Sequence, residues 1–443
     1  MAEDNREACH LDVAGLITEA VAIWDAGSSD FPQLGSTCPV EEQMRRERLL
    51  DCRLEAIDAE LRKTSRTRAA AERTIGRITS LFVQVSTDAL SVEDAAIQHL
   101  LQDSFSQIGT DLARCARRLD PGVSMIDILQ AARNAWTACG LQALLGKPVQ
   151  LTPAIFAYSM LYPYSDNYLD DPAISQAEKL RFSDHFRRRL KGGCPDAANE
   201  REEMIWRLVG LVESEYARAD FPQVYESLLA IHRAQEESVR QMESIRRDEI
   251  HPVQVTLAKG GTSVLADAYL AAGELTQAEV RFAFNWGIVL QLGDDLQDLH
   301  SDRVRGSLTL FTAAAAQGTL DEVTSRTLHF SQHVMAQMTG LPHASASLQK
   351  LLAQSSRLLL IRSAANEPDV YSPAYLAELE KYSPFRFEFL REREQRFLRR
   401  RRSYARLFEQ VVGAIPEKPW AEARNDALKR AARGSTVLAD NLF

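Results

Sequence analysis

Paired cysteines and an excess of basic residues are both lacking. Six cysteines occur among 443 residues, with no CxxC pair and no histidine at a metal-site spacing. We therefore expect free thiols in a reducing compartment. The formal net charge is −9, which disfavours nucleic acid as a partner, because proteins that bind it usually present a basic surface.

Long apolar runs and a leader pattern are lacking as well. No apolar run approaches the ~20 residues that a helix needs to span a bilayer. The first residues, MAEDNREACHLD, are acidic and have neither the basic start nor the apolar core of a signal peptide. We therefore expect a soluble protein in the cytoplasm.

Alternating strand patterns and internal repeats are absent, whereas helical periodicity covers most of the chain. Leu50, Leu54, Ile57 and Leu61 follow the spacing of an amphipathic helix. Further helices are predicted over 92–118, 124–145, 150–170, 174–190, 200–218, 222–247, 252–272, 276–302, 320–338, 346–363 and 385–412. We predict an all-α fold with a helical elaboration over 1–75, one large domain over 76–412 and a tail over 413–443.

Acidic residues gather at the end of one predicted helix, in the segment YPYSDNYLDDP. Asp166 and Asp170 are four residues apart and share a helix face, and Asn167 and Asp171 form a neighbouring pair. Pro172 should end the helix near Asp171. Each carboxylate then costs ~0.3–1 kcal/mol at the negative end of the helix dipole. A bound hard cation such as Mg²⁺ would offset this cost.

A capping role is the alternative for part of this cluster. Asp171 would cap the next helix, with Pro172 at its first position and the pair Ser175 and Glu178 as a further start signal. Asp166 and Asp170 would then form a solvated face.

A second acidic cluster follows the apolar segment VRFAFNWGIVLQLG, which predicts a buried helix. Asp294, Asp295 and Asp298 form a DDxxD pattern, and Asp302 extends the face of Asp294 and Asp298 by another turn. Two carboxylate clusters at the ends of core helices predict two walls of one cation-filled pocket.

The second cluster carries a family resemblance. Gln291, the DDxxD pattern, Asp302 and the run Arg305-Gly306-Ser307-Leu308-Thr309 resemble the second aspartate-rich motif of the class I isoprenoid synthases. These are trans-prenyl diphosphate synthases, squalene and phytoene synthases, and terpene cyclases. The resemblance covers about residues 120–360, and Asn167 stands where the first motif of the family commonly has a second aspartate.

The resemblance implies an all-α bundle around a central cavity. About two or three Mg²⁺ ions, or Mn²⁺, would grip the diphosphate of a prenyl substrate. The implied metal ligands are Asp166, Asp170, Asp171, Asp294, Asp295 and Asp298. The implied diphosphate-binding residues are Lys259, Arg303 and Arg305, and Asn167, Gln235, Gln291 and Asp302 are further candidates.

Two segments between the motifs add candidates. Lys259 opens KGGTS, whose glycine pair we expect to interrupt a helix and admit an anion to backbone amides; the alternative is a plain turn with a solvated lysine. His232, on the same predicted helix as Gln235, is either a packing residue or a base. Aromatic side chains that either fill the core or line the cavity are Phe156, Tyr158, Tyr162, Phe282, Phe284 and Trp286.

The segment 386–406 has nine arginines against three glutamates. It predicts one of three things: a lid that reaches the diphosphate through Arg402 and Tyr404, a peripheral contact with an anionic membrane, or a solvated helix face. A homodimer is a further expectation for the chain.

The motifs also bear on the type of reaction. Elongating synthases carry a Gly-Lys-Arg element that this chain lacks, and Arg187, Arg188 and Arg189 lie far beyond the first motif. The leading hypothesis is a terpene synthase that ionises a C15 or C20 prenyl diphosphate and cyclises or deprotonates the carbocation, although the Asn-Asp-x-x-Ser-x-x-x-Glu motif of most cyclases is missing. The alternatives are condensation of two prenyl diphosphates, a non-catalytic homologue that serves as a partner subunit, and a plain helical scaffold.

Overall fold

The computed structural model describes residues 10–62, 67–90, 105–171, 173–243, 252–396 and 409. Within these ranges some helical side chains, among them Tyr162 and Asp170, lie outside the description. Every regular element of the described part is a helix, which confirms the all-α prediction.

The described residues form the following helices, in chain order. They are α1 (Val13–Ala26), α2 (Val40–Leu61), α3 (Arg68–Leu90), α4 (Phe105–Leu119), α5 (Met125–Leu144), α6 (Pro153–Asp170), α7 (Gln176–Leu190), α8 (Glu200–Glu215), α9 (Pro222–Glu243), α10 (Pro252–Ala272), α11 (Gln277–Gln297), α12 (Leu299–Arg305), α13 (Leu310–Ala315), α14 (Asp321–Gln337), α15 (Ala346–Asn366), α16 (Pro373–Glu380) and α17 (387–396). Short 3₁₀ turns cover Met338–Gly340 and Pro368–Val370. Within the described ranges, no helix has both the length and the apolar character needed to cross a membrane.

Helix α6 ends where the sequence predicted, at Asp170, with Asp171 as its C-cap. Helix α7 begins at Gln176, and Ser175 and Glu178 form its capping box. The expectation that Asp171 caps α7 is therefore wrong. Its Oδ1 instead accepts a 2.8 Å hydrogen bond from the backbone N–H of Ala173, since a short side chain can bond the backbone two residues on.

Helix α10 lies at the centre of the bundle and packs against α11, α9, α5, α1 and α6. It runs without a break through Gly260 and Gly261, so the predicted helix interruption at KGGTS is wrong. The glycines serve packing: a Cβ on Gly287 of α11 would lie 2.2 Å from the carbonyl oxygen of Gly260. This close backbone approach outweighs the ~1 kcal/mol that glycine costs inside a helix.

The predicted helix over 276–302 is two helices. Helix α11 ends at Gln297, and Asp298 is both its C-cap and the residue before α12. Helix α12 ends at Arg305, and its C-cap is Gly306, whose φ of 71° lies in the left-handed region that favours glycine. The acidic cluster therefore spans the end of a core helix and a short helix that follows it.

The N-terminal helices belong to the same packing as the central ones. Ala20 and Trp24 of α1 are buried in the core, and the Trp24 ring lies 5.9 Å from that of Phe330. Glu47, Asp51 and Asp58 of α2 receive hydrogen bonds from arginines of α17 and the residue preceding it, namely Arg386, Arg393 and Arg396.

Part of the Arg-rich segment is thus paired with acidic residues of α2. Residues 397–406 of that segment, with Arg402 and Tyr404, lie outside the described residues. Membrane contact, the lid and the domain boundaries stay predictions.

Candidate functional site

A cavity of about 140 Å³ lies between helices α5, α6, α7, α9, α10 and α11. Seven of the residues singled out from the sequence line it, and they come from four different helices. These residues are Tyr158, Asp166, His232, Gln235, Lys259, Gln291 and Asp294. The two acidic motifs, remote in the sequence, thus reach one cavity.

Asp166 represents the first motif in the cavity wall. It lies in the last turns of α6 and is only 9% exposed. Its Oδ1 accepts hydrogen bonds from Gln235 Nε2 at 2.7 Å and from Ser165 Oγ at 3.0 Å. Because these two donors come from α9 and α6, they hold the carboxylate in a fixed direction.

The other members of the first motif lie differently. Asn167 is exposed, and its Nδ2 donates a 3.3 Å hydrogen bond to Asp127 Oδ1 at the start of α5. Asp171 belongs to the turn after α6, and the side chain of Asp170 is outside the described residues. The structure therefore brings Asp166 to the cavity, with Asn167 and Asp171 engaged elsewhere.

Asp294 represents the second motif. Its Oδ1 lies 2.9 Å from a guanidinium nitrogen of Arg133 on α5, and both side chains are partly exposed. Gln291, one turn earlier on α11, also lines the cavity and donates a 2.7 Å hydrogen bond to Asp295 Oδ1.

Asp295 faces α10 and is 8% exposed. Thr256 Oγ1 donates a 3.3 Å hydrogen bond to its Oδ2. Burial raises the pKa of Asp295 to about 7, although the Gln291 hydrogen bond and the charge of Lys259 oppose the increase. Within the described part of the chain, Asp295 is not part of the cavity wall.

Asp298 and Asp302 continue the face of Asp294 past the end of α11. Burial and the charge of Asp294 raise the pKa of Asp298, while Arg133 and Arg305 lower it. Burial and the charge of Asp298 raise the pKa of Asp302, while Arg305 and Lys259 lower it. The carboxylates of Asp294, Asp298 and Asp302 therefore repel one another. A bound cation would relieve this repulsion.

The predicted cations differ in position. Lys259 lies in the cavity wall. Arg305 is exposed at the end of α12, where its charge acts on Asp298 and Asp302. Arg303 is also exposed, and its charge acts on Glu367 of the turn after α15. The charges of Lys259 and Arg305 therefore act on the second acidic cluster, whereas the charge of Arg303 acts on Glu367, outside that cluster.

The sequence motifs did not predict one polar group at the cavity wall, which consists of Asn134 and its hydrogen-bond partners. Asn134 lines the cavity, and its Nδ2 donates to Asp267 Oδ1 at 2.9 Å and to Ser159 Oγ at 3.2 Å. Asp267 is 1% exposed, and burial raises its pKa well above the usual range. The signal was present: Arg133 and Asn134 interrupt an otherwise small and apolar stretch of α5, and Asp267 interrupts the run VLADAYLAA.

Aromatic side chains divide between core and cavity. Tyr158 lines the cavity, and its hydroxyl donates a 3.2 Å hydrogen bond to the carbonyl oxygen of Ser263. Four others are buried in the core, and these are Phe156, Phe282, Phe284 and Trp286. The side chain of Tyr162 lies outside the described residues.

The oxygen atoms of the acidic side chains are the donors that a metal ion would meet in this cavity. Carboxylate oxygens are the ligands that Mg²⁺ prefers, and Asp166 and Asp294 offer them from two sides of the cavity. Among the described side chains, however, no three acidic, histidine or cysteine groups lie close enough together to hold an ion. The donor atoms therefore suit Mg²⁺ in kind, whereas the described side chains alone do not form a complete coordination site.

Comparisons with known proteins add no relative to these observations. A scan against protein-family models found no matching model, and a search of curated proteins found no significant match.

Proposed function

We propose that this chain is a Mg²⁺-dependent class I isoprenoid synthase that ionises a prenyl diphosphate and releases pyrophosphate. One observation carries the proposal: Asp166 and Asp294, from acidic motifs on α6 and α11, line the same cavity. Carboxylates from remote helices share a cavity at a cost in repulsion and desolvation, and a cationic ligand between them offsets that cost.

The residues that would supply oxygen ligands to Mg²⁺ are Asp166 of α6 and Asp294 and Asp298 at the end of α11, with Asp302 as a further carboxylate. They would have to come closer together than they lie in the structure to hold an ion. The pKa values of Asp298 and Asp302 are raised by burial and then by neighbouring carboxylates, as expected for ligands of a cation. When bound, Mg²⁺ would supply Lewis-acid stabilisation of the departing diphosphate.

The chain's own groups supply the rest of the site. Lys259 places a cation in the cavity wall, where it would bind diphosphate oxygens. Apolar side chains of α6, α7 and α9 form another part of the wall and would keep water from a carbocation. These side chains are Leu161, Phe186, Leu190, Leu228 and Ile231.

The size of the cavity favours one substrate over two. Its volume is about 140 Å³, close to that of an engineered cavity which admits a single benzene molecule (about 150 Å³). A single prenyl chain already requires some displacement of the wall, and two chains require much more. Ionisation of one prenyl diphosphate is therefore preferred to condensation of two.

A second candidate is a homologue that binds a diphosphate without converting it. The ion pair between Arg133 and Asp294 favours this candidate, since a guanidinium on the carboxylate competes with a metal ion. The retained acidic residues of both motifs favour the enzyme.

The two candidates differ in turnover. The purified chain would be incubated with Mg²⁺ and C10, C15 or C20 prenyl diphosphate, and pyrophosphate and extractable hydrocarbon would be measured. The enzyme predicts pyrophosphate release that stops on chelation and in Asp294→Ala. Asp25→Ala, at an exposed position of α1, is the matched control and should retain the activity. Binding of a substrate without release of pyrophosphate would favour the non-catalytic homologue.

A further inference from the structure

His232 of α9 is a buried histidine in the wall of the same cavity. Its side chain is 1% exposed. Its Nε2 lies 2.9 Å from the carbonyl oxygen of Ser183 and 3.4 Å from Glu236 Oε1. Both neighbours are hydrogen-bond acceptors, so the tautomer that satisfies them carries its proton on Nε2.

The other ring nitrogen, Nδ1, therefore presents a lone pair. It is buried, and it has no hydrogen-bond partner among the described residues. A buried acceptor without a donor is unfavourable in a folded protein and calls for an explanation. His232 lines the cavity, so a substrate that displaces the neighbouring wall is a candidate partner for Nδ1.

The ring is held in this orientation by its neighbours. Glu236 pairs with both His232 and Arg187. Although burial opposes the change, hydrogen bonds from these two side chains lower the pKa of Glu236 below its usual range. The Phe186 ring packs edge-on against the imidazole at 4.9 Å between ring centroids. A carboxylate beside Nε2–H fixes the tautomer and the orientation of the ring, with the lone pair on Nδ1.

His232 also lies at a boundary within the cavity. Gln235, one turn further along α9, bonds to Asp166 on the acidic side. Ile231 and Leu228 of the same helix line the apolar side. His232 is therefore next to both the place proposed for the diphosphate and the place proposed for the hydrocarbon chain.

We propose that His232 is the base that ends the reaction by taking a proton from the carbocation. A C–H bond next to the cationic carbon breaks, and its electron pair forms the new C=C bond. The proton goes to Nδ1, while Nε2–H stays shared between Ser183 and Glu236. The imidazolium returns the proton to water when the olefin leaves. The proposal rests on the proposed function and adds its last step.

The test is the fate of the carbocation in His232→Gln. The variant keeps an amide donor for the Ser183 carbonyl but has no basic lone pair. The ratio of olefin formed to pyrophosphate released should fall about 100-fold, the scale of a lost general base, with capture of water to an alcohol in its place. His333→Gln, at an exposed position of α14, is the matched control and should keep the wild-type ratio.

A second variant guards against a folding defect in the first. Glu236→Gln leaves His232 in place and removes the negative charge at Nε2, so it should lower the same ratio about tenfold. If His232 is only a packing residue, both variants lower stability and total turnover while the ratio stays at the wild-type value, and the proposal is overturned.

Failure of this proposal is distinguishable from failure of the proposed function. A wild-type chain that releases pyrophosphate and keeps its olefin ratio in His232→Gln overturns the role of His232 alone. A wild-type chain whose product is alcohol alone also overturns only that role. A wild-type chain that releases no pyrophosphate from any of the three substrates overturns both.

Discussion

Gln235 Nε2 donates a 2.7 Å hydrogen bond to Asp166 Oδ1 and so joins α9 to α6 at the wall of the cavity. The acceptor is 9% exposed, and a buried carboxylate depends on such donors. The bond fixes the first acidic motif relative to the helix that carries His232.

Replacement of this donor should destabilise the fold. Gln235→Met keeps the length of the side chain and removes one hydrogen bond to the buried carboxylate of Asp166, which should lower the free energy of unfolding by about 1–3 kcal/mol. Urea denaturation measures the change. Gln254→Met, at an exposed position of α10, should have almost no effect, and equal losses in the two variants would contradict this reading.

Asp267 should make stability depend on pH. Burial raises its pKa in the folded state well above the usual range, whereas the unfolded chain has an ordinary aspartate pKa of about 3.9. The folded state keeps a proton that the unfolded state loses. The contribution of Asp267 is therefore most favourable below about pH 4 and falls as the pH rises towards the folded-state pKa, by up to about 1.4 kcal/mol per pH unit.

The variant Asp267→Asn removes this titration and keeps an oxygen for Asn134 to bond. Its stability relative to the wild type should therefore increase between pH 5 and pH 7.5, as measured by urea midpoints at both values. Asp25→Asn, at an exposed position, should show no such increase. A constant difference between Asp267→Asn and the wild type would mean that Asp267 is ionised in the folded protein.

Replacement of glycine by alanine should have opposite effects on stability at two positions, one inside the close contact between α10 and α11 and one outside it. A Cβ on Gly260 would lie 2.5 Å from Gln291 Cβ and 2.7 Å from the Gly287 carbonyl oxygen. Gly260→Ala should therefore destabilise the protein by about 1–3 kcal/mol. Gly210 of α8 has no neighbour within 4 Å of such a Cβ, so Gly210→Ala should stabilise it by about 0.5–1 kcal/mol. Thermal unfolding of both variants measures the pair, and stabilisation by both would contradict the packing argument.

Local patterns predicted most helices, because periodicity, capping residues and proline act within a few residues. Helix α7 begins after its Ser175–Glu178 box, and α6 ends before Pro172, as their sequences indicate. Helices α1, α3, α13 and α16 were not predicted. The neighbouring residues of the sequence did not predict that α10 continues through Gly260. The reason for a glycine there is the close approach of Gly287 from another helix.

The site was predictable to a similar extent. The spacing of the acidic residues within each motif indicated two acidic helix ends. Asp166 from one motif and Asp294 from the other line the cavity. The roles of Arg133 and Asn134 depend on which helix packs beside α11 and α10, and no pattern within α5 specifies that neighbour. The capping of α12 and the turn at Asp171 likewise follow from how the chain leaves each core helix.

The central claim is that Asp166 and Asp294 act on one diphosphate in one cavity. The most direct measurement is kcat/KM for Mg²⁺-dependent pyrophosphate release in Asp166→Asn, Asp294→Asn and the double variant, with Asp25→Asn as control. Each single variant should lose about 100-fold or more, and the double variant should lose far less than the product of the two losses, since residues that act as a unit are not additive. Single variants that match Asp25→Asn would contradict the claim.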